Sequence, residues 1–134
     1  MTSTVPPRTT QQQEDTFAIR WRVEDGSLRL GTRFDGSTFV LAVAGELDLT
    51  NGGTLTAELQ RSERTEADTV IVDMRELEFI DSTGMAILVS AWRRTAADGR
   101  RMEIVPSTHE SVRRVFDLTG LNDRLPVAAE PPPN

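Results

Sequence analysis

Residues 79–84 read Phe-Ile-Asp-Ser-Thr-Gly. An apolar strand pattern precedes them and an amphipathic helix pattern follows, so Ser82 falls where a strand ends and a helix begins. A helix start carries unpaired backbone N–H groups and the positive end of the helix dipole. A hydroxyl at that point can cap the helix by accepting one of those N–H groups. It can also carry a phosphate, because the position tolerates negative charge. Thr83 is a second hydroxyl, read first as a residue of the opening helical turn. Two other segments stand out: Gly45-Glu46-Leu47-Asp48 after a buried run, and Val115-Phe116-Asp117-Leu118-Thr119-Gly120-Leu121 at the end of a helix.

Periodicity supplies the elements that must position these residues. Phe17, Ile19, Trp21 and Val23 alternate with polar or small neighbours, as do Leu28, Leu30, Thr32 and Phe34, and both read as strands. Asp25-Gly26 and Asp35-Gly36 are hairpin turn pairs. Thr38–Ala44 is nearly continuous apolar chain, as in a strand covered on both faces. Leu55 and Leu59 predict a helix over 53–62, and Thr69–Met74 predicts another strand. Met85, Leu88, Val89 and Trp92 fall at i, i+3, i+4 and i+7, one helix face, with Gly99 as its stop. Met102–Val105 reads as a short strand. Ser107-Thr108-His109-Glu110 reads as a capping box before a helix carrying Val112, Val115 and Phe116, which Gly120 ends. Arg124–Val127 reads as a last short strand.

The resulting order, β-β-(β)-α-β-α-β-α-β, starts antiparallel and continues through parallel crossovers. The expected fold class is therefore α/β, a mixed β-sheet with helices packed mainly on one face. Residues 1–16 read as a disordered tail, 17–127 as the folded domain and 128–134 as a Pro-rich tail.

Composition excludes several chemistries. The 134-residue chain has a formal net charge of −6, which disfavours nucleic acid or an anionic membrane as a partner. There is no cysteine and a single histidine, His109, so thiolate and multi-histidine metal sites are removed. No cofactor or metal is expected. All 15 basic residues are arginine, so the lysine of a P-loop, of a Schiff-base enzyme or of a receiver domain is missing. The bias itself is read as genomic. No apolar run is long enough to span a membrane and no signal-peptide pattern opens the chain, so a cytoplasmic protein is expected.

Taken together and in order, Gly45–Asp48, Ile71-Val72-Asp73-Met74 leading into Phe79–Gly84, and Val115–Leu121 closely resemble the STAS-domain anti-sigma factor antagonists of bacteria. The resemblance covers about residues 28–127, with the strand over 17–23 additional to it. It implies partner switching. The unphosphorylated antagonist binds an anti-sigma factor that has a histidine-kinase-like ATP-binding fold, which frees a sigma factor. That same anti-sigma factor phosphorylates the antagonist on serine and releases it, and a PP2C-type phosphatase restores it. The family serine falls on Ser82. Asp48 and Asp81 match the acidic positions of the partner surface, with Thr83, Gly84 and Met85 beside them.

Plainer readings stand next to these. Ser82 can be a helix N-cap that is never modified. Asp48 can be a turn residue satisfying local backbone, Asp73 a structural residue at a strand end, and Met85 and Trp92 core. Asp48, Asp73, Glu76 and Glu78 are expected to ring one sheet edge. Trp21 either covers the sheet edge or mediates contacts in a homodimer. Beside the phosphorylatable antagonist stands a STAS scaffold that holds partners without switching. A serine hydrolase would need a base near Ser82 and a Gly-x-Ser-x-Gly elbow, and the chain has no such elbow.

Overall fold

The computed structural model describes residues 18–129. The tail expected over 1–16, Phe17 of the first expected strand and residues 130–134 lie outside the described residues. Among the described residues, six strands and three α-helices follow in the order β1 (Arg20–Asp25), β2 (Leu28–Asp35), β3 (Thr38–Leu47), α1 (Gly52–Glu63), β4 (Thr69–Asp73), β5 (Leu77–Ile80), α2 (Ser82–Ala97), β6 (Arg101–Val105) and α3 (Glu110–Thr119).

The sheet order is β1-β2-β3-β4-β6, and β5 also pairs with β3. The two hairpins make β1–β2 and β2–β3 antiparallel, and the crossovers make β3–β4 and β4–β6 parallel. β3 is the axis of the sheet. Its first half, Thr38–Ala42, lies beside β4. Its second half, Gly45–Leu47, lies beside β5 in parallel register. β5 thus takes over from β4 along the same edge of β3.

Gly45 marks that hand-over. Its φ is +91°, and a Cβ there would lie 1.8 Å from the Ser27 carbonyl oxygen. Only glycine fits, on conformation and on space. Its N–H donates to the Glu76 carbonyl at 3.1 Å, which draws the turn before β5 onto β3.

Alternation along the strands separates two faces. Leu30 pairs with Val43 and Thr32 with Leu41, and the apolar members of these pairs join one large core with Val70, Val72, Met102 and Ile104. Leu55 and Leu59 of α1, Met85, Leu88 and Ala91 of α2, and Val112 and Phe116 of α3 belong to the same core. All three helices therefore cover one face, as the periodicity predicts. Leu41, Leu55, Leu59 and Leu88 are essentially fully buried, each stabilising the fold by about 1.5–3 kcal/mol relative to exposure.

The other face carries a smaller cluster of Val40, Ile71, Val105 and Ala128, with Ile19 against it. Trp21 lies over Gly31, whose added Cβ would come 3.0 Å from the indole, and Arg29 stacks 4.3 Å from the Trp21 ring centroid. Trp21 thus covers part of the sheet while remaining 44% exposed.

Two local expectations are corrected. Ser107 does not open a capping box: α3 begins at Glu110 behind His109, with no side-chain cap. Ser107 Oγ instead donates to the Leu77 carbonyl at 2.6 Å and accepts from His109 N–H at 2.9 Å. It is held between β5 and the start of α3, where β5 offers a carbonyl with no neighbouring strand. The last strand over 124–127 reduces to one bridge, Ile104 to Val127, because Pro126 has no N–H with which to extend a ladder.

Candidate functional site

The site forms where β3 and β5 end side by side. Leu47 and Ile80 pair and both turn into the core. The next residues, Asp48 and Asp81, then leave the sheet together. Asp81 N–H donates to the Leu47 carbonyl at 3.2 Å, the last backbone link between the two strands.

Asp81 is the N-cap of α2. It keeps an extended backbone, and its Oδ1 accepts from Gly84 N–H at 3.0 Å. This corrects the reading of Ser82 as the cap. Ser82 is the first residue inside the helix, exposed to solvent, and its hydroxyl is left free of the capping role. The second carboxylate oxygen of Asp81 faces the other way, and Oδ2 accepts from Leu49 N–H at 3.0 Å. One carboxylate therefore holds both the helix start and the loop after β3.

That loop is built by its own polar residues. Asp48 Oδ1 accepts from Thr50 N–H at 2.9 Å and from Thr50 Oγ1 at 2.6 Å. The Thr50 hydroxyl first, then its N–H, hold the Asp48 carboxyl below its ordinary value. Asn51 Oδ1 accepts from Asp48 N–H at 2.9 Å, and Asn51 Nδ2 donates to the Glu46 carbonyl at 3.0 Å. The buried Asn51 brackets the loop and precedes α1 as its N-cap residue without a side-chain cap bond. Leu49, at the loop's tip, is 75% exposed.

Two glycines bring these pieces together. A Cβ on Gly52 would meet Ile87 Cδ1 at 2.7 Å and Thr83 Cγ2 at 3.4 Å, so α1 starts in close contact with the first turns of α2. Gly84 rests directly on the Leu47 and Ile80 side chains. Ser82 and Thr83 open onto a groove of about 500 Å³ between α1 and α2, lined also by Thr56, Ala86, Ser90 and Arg94. An Arg94–Glu63 ion pair of 2.9 Å joins the two helices at its far end.

A STAS domain family model matches residues 30–131. The chain belongs to the STAS domain family. A relative in Bacillus subtilis (strain 168), an anti-sigma-B factor antagonist, is 27% identical over 88 residues, which is 66% of this STAS chain and 79% of the relative. Among solved structures, an anti-sigma factor antagonist from Mycobacterium paratuberculosis superposes with a TM-score of 0.70 at 20% identity, covering 81% of this chain and 92% of its own. The unphosphorylated form of the anti-sigma factor antagonist SpoIIAA gives 0.63 at 24% identity, over 75% and 89%. The phosphorylated form of SpoIIAA, a Bacillus cell fate determinant, gives 0.56 at 23%, over 84% and 93%. These structural likenesses establish the fold.

The STAS fold gathers most of the expected residues and separates others. Asp48, Asp81, Ser82 and Thr83 meet at one corner and keep solvent-facing surface. Gly84 and Met85, expected on the contact face, are buried, Met85 within the core. Asp73 is not part of an acidic ring. It is buried at the end of β4, where Arg75 Nε and Nη2 donate to its two oxygens at 2.9 and 2.6 Å. That hydrogen-bonded carboxylate raises the Arg75 pKa further. The pair lines a cavity of about 220 Å³ with Ile19, Trp21 and Ala42, on the face away from the helices. Leu49 and Asn51 were not among the expected site residues. Asn51 carried a signal, an N-cap residue type just before a helix; Leu49 carried none.

Proposed function

We propose that this chain is an anti-sigma factor antagonist that works by binding, with Ser82 as its phospho-acceptor. The observation that carries the reading is the position of Ser82: exposed, one residue inside α2, with Asp81 already serving as the cap. A kinase can reach the hydroxyl without unwinding the helix. Support also comes from the family and from the B. subtilis relative that bears the antagonist name.

The proposed partner is an anti-sigma factor with a histidine-kinase-like ATP-binding fold, which acts as the serine kinase. A PP2C-type phosphatase reverses the modification, and the pathway operates in the cytoplasm. The chain itself is a binding module and a kinase substrate rather than an enzyme. Asp48, Asp81 and Thr83 flank the contact, and the packing of Gly84 and Met85 shapes the turn beneath it.

The switch follows from charge. A phosphate adds about −1.5 to −2 at neutral pH, next to the Asp81 carboxylate. Burying that dianion against a partner surface shaped for a neutral hydroxyl costs several kcal/mol, and each 1.4 kcal/mol is about tenfold in affinity. Binding then stops without any change of fold.

Paired capture from native lysate tests this, with Ser82→Ala and Ser82→Glu proteins as baits and mass spectrometry of what each retains. The expected result is an ATP-binding anti-sigma factor on the Ala bait and not on the Glu bait. Equal recovery on both would instead favour a STAS scaffold that does not switch.

A further inference from the structure

The proposed switch has a second arm, built from the Asp81 carboxylate. We propose that Asp81 relays the charge at Ser82 to the loop carrying Leu49, so that phosphorylation releases this loop as well as placing charge on the surface. The inference rests on Ser82 being the phospho-acceptor and deepens that reading.

The geometry gives Asp81 two jobs with one group. Oδ1 satisfies Gly84 N–H in the first turn of α2, and Oδ2 satisfies Leu49 N–H across the junction, each at 3.0 Å. Leu49 sits between residues that are otherwise internally tied: Asp48 is bonded to Thr50 and Asn51, and Asn51 to Glu46. The carboxylate of Asp81 is thus the side-chain link from α2 to the tip of this loop. An exposed leucine on a loop held in this way is a pre-organised apolar contact, since little ordering entropy remains to be lost on docking.

A phosphate on Ser82 sits in the same opening turn. No acidic residue occupies that turn of α2 in the unmodified chain, so Asp81 is the local anion at its N-terminal end. A dianion competes with the carboxylate for the helix-terminal N–H groups and the positive end of the dipole. It also repels the carboxylate directly. When Asp81 rotates away, the acceptor for Leu49 N–H goes with it.

The test reads individual amides by NMR-detected exchange with solvent, on the full chain. The forms compared are the unmodified protein, protein with phosphoserine installed at position 82, Ser82→Glu, Asp81→Asn and the double variant. Asp81→Asn is chosen because its amide oxygen can still cap Gly84 while its NH2 cannot accept from Leu49. Exchange at Leu49 is expected to rise at least tenfold in the phosphoserine form and in Asp81→Asn, and several-fold in Ser82→Glu. The Val72 amide, in the central strand β4, should stay unchanged and so rule out general weakening of the fold. In the Asp81→Asn background, Ser82→Glu should add nothing, which is the coupling expected of two residues acting through one link.

Leu49 exchange that stays within twofold of the unmodified protein in the phosphoserine form overturns the relay. So does a Ser82→Glu effect that persists in full without the Asp81 carboxylate. Neither measurement requires the partner. If phosphoserine abolishes partner binding while Leu49 is unmoved, the switch stands and the relay falls. If phosphoserine leaves partner binding intact, the switch itself falls.

Discussion

A Cβ added to Gly84 would lie 2.8 Å from both Cγ and Cδ2 of Leu47. The first turn of α2 therefore rests on the end of β3 with no space for a methyl group. This contact sets the height of Ser82 above the sheet, because Ser82 begins the same turn. Ile80 Cγ1, also at 2.8 Å, closes the remaining side.

Gly84→Ala should destabilise the protein, although Ala is ordinarily better than Gly in a helix by about 0.5–1 kcal/mol. Overpacking a filled core costs about 1–3 kcal/mol, and Leu47 is fully buried. A net loss of about 1 kcal/mol is expected, read as a lower urea midpoint at constant m-value. A gain in stability would mean that Leu47 moves aside freely.

Arg75→Ala should remove the partner of a buried carboxylate. The Asp73 side chain is 9% exposed and that of Arg75 22%. Breaking a fully buried pair costs about 3–5 kcal/mol; partial exposure brings the expected loss to roughly 2 kcal/mol. Adding Asp73→Asn in the same chain should recover part of it, since no charge is then left unpaired. Denaturation of the two singles and the double measures the coupling.

Asp48 should titrate below the ordinary aspartate value of 3.8, because Thr50 hydrogen-bonds to its charged form. A carboxylate depressed in the folded state contributes stability that is fully present above its unfolded pKa. That contribution is lost as pH falls through the folded value. Between pH 5 and 8 this group should leave stability unchanged, and below about pH 4 the loop after β3 should loosen. Carboxyl-carbon NMR titration checks the midpoint, and Thr50→Ala should move it upward.

Ser107→Ala should strand two groups at once, the Leu77 carbonyl and the His109 N–H. Ser107 is buried, so water cannot easily replace it, and about 1–2 kcal/mol should be lost. The loss should be local. Hydrogen exchange is expected to rise first in β5 and at the start of α3.

The sheet and its helices were legible in the chain because each depends on local periodicity. Leu28–Phe34 alternates and Met85–Trp92 repeats at helical spacing, so both elements follow from their own residues. β5 was not legible. Leu77-Glu78-Phe79-Ile80 is short, and it becomes a strand only because the second half of β3 is left unpaired where β4 stops. The cap of α2 reads from the sequence as Ser82 and is in fact Asp81, for another reason. Asp81 and Ser82 are adjacent and both are good N-cap residues. Asp81 caps the helix and also accepts from Leu49 N–H, a donor from a distant segment that local sequence does not reveal. Asp73 reads from the sequence both as a structural strand-end residue and as one of the acids along a sheet edge. The structure agrees with the first reading, and Arg75, which folds back over the strand end to pair with it, gives no periodic sign of doing so.

Ile19 and Ala128 come from opposite ends of the described region, yet both pack on the small cluster of Val40, Ile71 and Val105. They meet on the face of the sheet that the helices leave uncovered, while Ser82 stands at the corner where β5 enters α2. A short linker joining these two segments would close the chain into a ring without crossing the switch, and new ends could be opened at the Asp35-Gly36 turn. Such a permuted chain would present Ser82 unaltered at its corner, with the join on the uncovered face of the sheet.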